Sequence, residues 1–194
     1  MTSESPETSP APAPDAPALA SVWARFAALV LDGLLWTPIA LGVAYAASRS
    51  PAWGVFLFPG ALVSFVVYQV FFHAHFGATV GKMILRIRVV RTDLSPIDLN
   101  AALKRSFVDA VFRLGLATVS VQVIRSLGPV PVDSLMDFVK ALQANKSYAT
   151  LSNMESLWTL SEIATCLFHR QRRALHDLIA GTLVVKSAQR TANS

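Results

Sequence analysis

The sequence predicts an all-α fold: a polytopic membrane protein, a bundle of about four transmembrane helices with a small cytoplasmic connecting region. Three observations carry the prediction. Hydrophobic residues make up 53% of the 194 positions and charged residues only 15%, where an average soluble domain carries about 25% charged residues. Mean hydropathy is +0.47, which leaves too little polar surface to cover a soluble domain. The apolar residues are gathered into long runs, with the basic residues clustered between them. These figures exclude a disordered chain, a collagen-like chain and a disulfide scaffold, and they argue against an ordinary soluble enzyme. Cys166 is the only cysteine, so no intramolecular disulfide forms.

Residues 1–21 are a different material, with five prolines among Ser, Thr and Ala and no Lys or Arg. Such a stretch cannot bury enough apolar area to offset its ordering entropy and is expected to be a disordered tail. It lacks the basic start of a secretory signal. Residues 22–186 form the expected membrane domain, and 187–194 a C-terminal tail.

The first helix is expected over 26–47, where Asp32 is the one charge in 22 residues. At 1.5 Å per residue that length reaches roughly 33 Å, enough for a hydrocarbon core of about 30 Å. Pro38 kinks it, which membrane helices tolerate. The second helix, 52–72, has no charge at all. The third, 106–124, carries Asp109 and Arg113 near its start. The fourth, 151–168, is weaker because it holds Asn153, Glu155 and Glu162; it either spans or packs in a crevice or at the interface.

Lys and Arg set the orientation. Segment 73–105 holds six and the part after 168 holds five, against one in 48–51 and three in 125–150. Four spans put the two richest segments, and both termini, on the cytoplasmic side. Tyr45, Trp53 and Tyr148 then fall at the outer interface, Trp23 and Phe72 at the inner one. Ser95, Pro96 and Asp98 read as N-cap, N1 and N3 of a helix that runs on into the third span. In 125–150, Leu135, Phe138, Val139 and Leu142 share one helical face, either lying on the outer surface or packed on the bundle top. Ile87–Val90 and Leu183–Val185 are short β-branched runs that could pair as a small sheet.

Charges inside the runs need partners. An aspartate near a bilayer centre costs about 2.5–3.5 kcal/mol on insertion scales, and Asp32 lies about two turns inside the first helix. Arg25 is nearly on the same face but too far along the axis to reach it, and can snorkel to the headgroups. Arg105, Asp109 and Arg113 recur at i, i+4 and i+8 on one face. The pattern predicts that Asp109 bonds both arginines and that Arg113 compensates Asp32 from across the bundle. Glu162 is expected to face the same interior. Near the end, Asp177 either caps a helix or holds Arg25, and it can orient the adjacent His176. These groups either lock helices together or move or sense an ion or proton.

Several segments together resemble the RDD family of bacterial integral membrane proteins, named for one arginine and two aspartates. Arg25 with Asp32 resembles its opening motif, and Gly77–Lys82 followed by Leu85–Val90 is similar to its central loop. Arg105 heads the third helix as that family leads one to expect, and Arg173–Thr182 resembles its closing motif. The second aspartate matches Asp177, with Asp109 as competitor. The likeness covers roughly 22–186; segment 125–155 departs from it, being longer and more polar. It implies a multi-pass protein of the bacterial plasma membrane. It also suggests transport, with cation/proton exchange proposed for some members.

Other signals are weak. Gly77-x3-Gly81-Lys82 is one residue short of a phosphate loop and has Met83 where that loop needs Ser or Thr. The glycines suit a turn out of the second helix. His73, His75, His169 and His176 lack the tight spacing of a metal site. No catalytic constellation stands out, so no enzyme, cofactor or metal is expected. The net charge of +5 lies beside the bilayer and suits anionic headgroups rather than nucleic acid. Two functions remain. One is a small transporter or exchanger of a cation or proton, with Asp32 as carrier and Asp109, Arg113, His176 and Asp177 in support; four helices are few for a pathway, so it would be a homo-oligomer. The other is a non-transporting module that binds a partner through its cytoplasmic face.

Overall fold

A computed structural model describes residues 17–127 and 134–187. The elements run α1 (Val22–Arg49), α2 (Pro51–Phe76), α3 (Val80–Ile84), β1 (Ile87–Arg91), α4 (Leu99–Ser126), α5 (Leu135–Ala144), α6 (Lys146–Phe168), α7 (Leu175–Ala180) and β2 (Thr182–Lys186). The fold is all-α, with one small sheet at one end of the bundle. Three helices, α1, α2 and α4, are long and apolar enough to cross a membrane. Leu34, Phe56, Val67, Phe107 and Leu114 stay exposed along them, as helices facing lipid tails require. Each runs past its expected limits, because helical hydrogen bonding continues into the polar ends where hydropathy has already fallen. The segment expected to be a fourth span forms the helix α6, packed on α4 and α5, but its polar residues leave it outside the apolar group of three.

Local chemistry sets the boundaries. Ser21 caps α1 by accepting from the Ala24 N–H at 3.1 Å. Ser50 ends α1, and Pro51 opens α2 at its first position. Gly54 lets the two helices touch there: a Cβ on it would lie 2.8 Å from the Cβ of Ala47. Gly77 closes α2 in the left-handed conformation, φ +66°, and accepts the Val89 N–H at 2.7 Å. The expected glycine turn is therefore present. The N-cap of α4 is Asp98, which accepts from Ala101 N–H at 2.7 Å, and not Ser95. The Ser95 amide and hydroxyl both bond Asp93, so Ser95 belongs to the turn before the helix.

The two β-branched runs pair as expected, antiparallel, with Val89 opposite Val184 and Arg91 opposite Thr182. One face of the sheet joins a core of Ala28, Ile97, Ala101 and Ala102; the other gathers Val90, Leu183 and Val185. The end of the expected tail needs correction. Ala20 N–H donates to Val184 and Lys186 N–H donates to Ala18, so residues 18–20 extend the sheet edge and pack Ala20 into the core. An open edge offers hydrogen bonds that polar composition does not advertise. The rest of that tail, residues 1–16, and the C-terminal residues 188–194 lie outside the described residues.

At the opposite end α5 lays Phe138 and Leu142 on Ala47, Val123 and Ile124. Of the two readings of this helix, packing on the bundle top is the one found.

Candidate functional site

The sheet end of the bundle gathers most of the chain's buried charge around two carboxylates. Asp177, third residue of α7, is fully buried. Its Oδ2 accepts from Arg25 Nη1 at 2.7 Å and reaches back to Ala174 N–H at 3.1 Å. Its Oδ1 accepts from Arg105 and from the Thr182 hydroxyl. Thr182 accepts a second bond from Arg105 at 3.0 Å. Arg173 closes the motif, bonding the Thr182 and Asp177 carbonyls at 3.0 Å each. Both sequence alternatives for Asp177 hold at once: it caps its helix and it holds Arg25. It also ties α1, α4 and β2 to α7. Burial pushes its carboxyl upward, but Arg105, His176 and Arg25 outweigh burial and hold it well below the ordinary range.

Asp32 is the second hub. Its Oδ1 accepts from Tyr68 Oη and from Gly81 N–H, each at 2.8 Å, and its Oδ2 accepts from Thr79 Oγ1 at 2.6 Å. Tyr68 in turn accepts from Val80 N–H at 2.9 Å. The carboxylate therefore clamps α1 to α2 and to the start of α3. The expected compensation by Arg113 does not occur. Arg113 lies 3.4 Å from Glu155 and stacks over Phe65 at 4.2 Å. Hydrogen-bond donors, rather than a cation, satisfy the Asp32 charge.

The clamp requires a glycine. A Cβ on Gly81 would lie 2.3 Å from the Ala28 carbonyl oxygen and 3.1 Å from Asp32 Cγ. Backbone cannot yield as a flexible side chain can. Gly81→Ala is expected to lower stability by about 1–3 kcal/mol through overpacking. A thermal unfolding midpoint in detergent equal to that of the wild type would show that α3 sits elsewhere.

A cavity of about 180 Å³ lies between α1, α2, α4 and α6 and is bordered by α3 and α7. Four acids line it, Asp32, Asp109, Glu155 and Glu162, against Arg25, Lys82, Arg105 and Arg113. Asp109 does not bond the two arginines of its own stripe. It accepts from Trp158 Nε1 at 3.0 Å, while Arg105 turns to Asp177. Glu162 faces the interior as expected and bonds His176, which stands 3.7 Å from Asp177. Gln69 Oε1, Arg25 Nε and Nη2, Arg113 Nε and His176 Nε2 are buried without a protein partner. These five orphan polar atoms belong to residues that line this one cavity, whereas buried polar groups are ordinarily partnered.

Tyr68, Thr79, Gly81, Lys82, His73 and Thr182 were not among the residues that sequence reasoning singled out for the site. Thr79, Gly81 and Lys82 belong to a segment whose glycines already signalled a turn. Tyr68 carries no such signal, and His73 drew notice only as a weak metal-ligand candidate. His73 and His75 turn Nδ1 to their own helix carbonyls, on Gln69 and Phe71. Among the described residues no group of three or more His, Cys, Asp or Glu is placed to hold a metal.

A family model, the RDD family, matches residues 19–181. The chain belongs to the RDD family and is a membrane protein with transmembrane helices. No curated protein and no solved structure matches it.

Proposed function

We propose that this RDD-family membrane protein is a small transporter that exchanges a cation for a proton through the cavity at the sheet end of its bundle. One observation carries the reading: four carboxylates on three different helices line one cavity inside an apolar bundle. Ionisable groups within spanning helices are costly, and where they line a cavity they mark ion pathways. Asp32 is a poor carrier, because protein donors occupy both its oxygens. Asp109 and Glu162 keep more free acceptor capacity and are assigned to hold the cation. In the same proposal α6 completes a fourth span. Both termini and the sheet then lie in the cytoplasm of a bacterial cell, with basic residues against anionic headgroups, and copies of the chain associate to complete the path.

The test is proton flux in proteoliposomes under an imposed pH gradient, with Na⁺, Li⁺ or K⁺ added in turn. Wild type is expected to collapse the gradient on cation addition. Asp109→Asn and Glu162→Gln are expected to abolish that response while staying folded. No response from folded wild type to any of the three ions would sink the exchanger. The second reading would then stand: a non-enzymatic module binding a partner at its cytoplasmic face. The locking of Asp177 onto two arginines favours it, since ion pairs of that kind fix helices in place.

A further inference from the structure

Lys82 is the one lysine lining the cavity; apart from His176, the other basic side chains there are three arginines, which stay charged. The Gly81 N–H bond to Asp32 fixes the backbone beside Lys82, whose side chain lines the cavity. Nζ lies 2.9 Å from His73 Nε2. His73 is buried, and its Nδ1 lies 2.7 Å from the Gln69 carbonyl oxygen. A carbonyl only accepts, so Nδ1 carries the ring proton and Nε2 offers a lone pair. The ammonium therefore donates to a neutral imidazole. No carboxylate lies within ion-pair distance of Lys82 among the described residues. The nearby ones are already engaged, Asp32 by three donors and Asp177 by two arginines.

We propose that Lys82 carries the exchangeable proton of the cavity and gives it up when a monovalent cation enters. This rests on the exchanger reading above and names the group that couples the two ions. The step balances: the ammonium becomes an amine, one proton leaves, one monovalent cation arrives, and the cavity keeps its net charge. The hydrogen bond to His73 survives the change, because an amine still has N–H groups to donate. Neither hub has that property, since protonating Asp32 or Asp177 breaks bonds that hold helices together.

The surroundings act in both directions. Burial and the Arg105 charge from α4 push the Lys82 ammonium down. Asp32 of α1 and Asp177 of α7 push it up, and Arg25 of α1 again pushes it down. From α2 it meets neutral His73 and the Tyr68 hydroxyl that bonds Asp32, and His176 of α7 borders the same cavity. The balance brings it from 10.5 to about 7. The group is charged below that pH and neutral above it.

The experiment is the Nζ chemical shift of Lys82 in the full-length, ¹⁵N-lysine-labelled chain in lipid nanodiscs, followed against pH with and without Na⁺, Li⁺ or K⁺. Lys82→Arg assigns the signal, and the wild-type titration decides even if that variant fails to fold. The expected result is a midpoint near 7 that moves lower when a cation the cavity accepts is added. A midpoint near the ordinary 10.5 overturns the proposal whatever the flux. So does a midpoint near 7 that ignores a cation which the liposome assay shows to be exchanged. A cation-dependent midpoint in a protein with no flux upholds the coupling and overturns only the transport reading.

Discussion

Asp177→Ala is expected to destabilise the bundle more than any other single change at the site, by roughly 3–5 kcal/mol. The loss does not equal the worth of the ion pairs. It comes from Arg25 and Arg105, which would stay buried with 11% and 5% side-chain exposure and no counter-charge. Arg105→Met combined with Asp177→Leu removes both members of the tighter pair. It is expected to recover part of the loss, because an apolar pair of similar volume avoids the desolvation penalty. Thermal unfolding in detergent, read by loss of the monodisperse peak, separates the two variants. A single mutant that melts with the wild type would show that the arginines find other partners. The pH dependence has a definite sign. The folded carboxyl titrates well below its ordinary 3.8, so its contribution is complete above that value. It falls away as pH drops from there towards the folded value.

The spans and the sheet were legible in the sequence because they depend on composition over short windows. A run of apolar residues meets lipid whatever its neighbours do, and Ile87–Val90 could find only one other β-branched run at its end of the bundle. The partners of the buried charges were not legible. Arg105, Asp109 and Arg113 do share a face, and that spacing predicted a ladder along one helix. In the fold each is drawn off its own helix, Arg105 to Asp177 on α7, and Asp109 and Arg113 to Trp158 and Glu155 on α6. An intrahelical pair is worth a few tenths of a kcal/mol, too little to hold a side chain against a better-buried partner. Lys82 was misleading in another way. A lysine in a basic loop reads as a headgroup contact, and only the docking of α3 on α1 turns it inward. The same docking supplies the donors that Asp32 lacked in the sequence.

Asp32 separates the lock from the carrier, and its two simplest substitutions are expected to differ. Asp32→Ala strands the Thr79 hydroxyl, the Tyr68 hydroxyl and the Gly81 N–H. A buried donor left unpaired costs on the order of 1–3 kcal/mol, so the alanine variant is expected to fold poorly. Asp32→Asn keeps a carbonyl oxygen for Tyr68 and Gly81. It turns an amide towards Thr79, whose hydroxyl can accept as readily as it donates. With no cation paired to the wild-type carboxylate, losing the charge breaks no ion pair, and its effect on Lys82 is to push the ammonium further down. The asparagine variant is therefore expected to lose only about 1 kcal/mol, the net worth of a typical hydrogen bond, and to retain cation-triggered proton flux. Flux lost from a well-folded Asp32→Asn, alongside active Asp109→Asn and Glu162→Gln, would reverse the assignment. The clamp would then have to open during each cycle, and α3 would be the element that moves. Hydrogen exchange at the Gly81 amide, fast in the cycling protein and slow without a gradient, would reveal that opening directly.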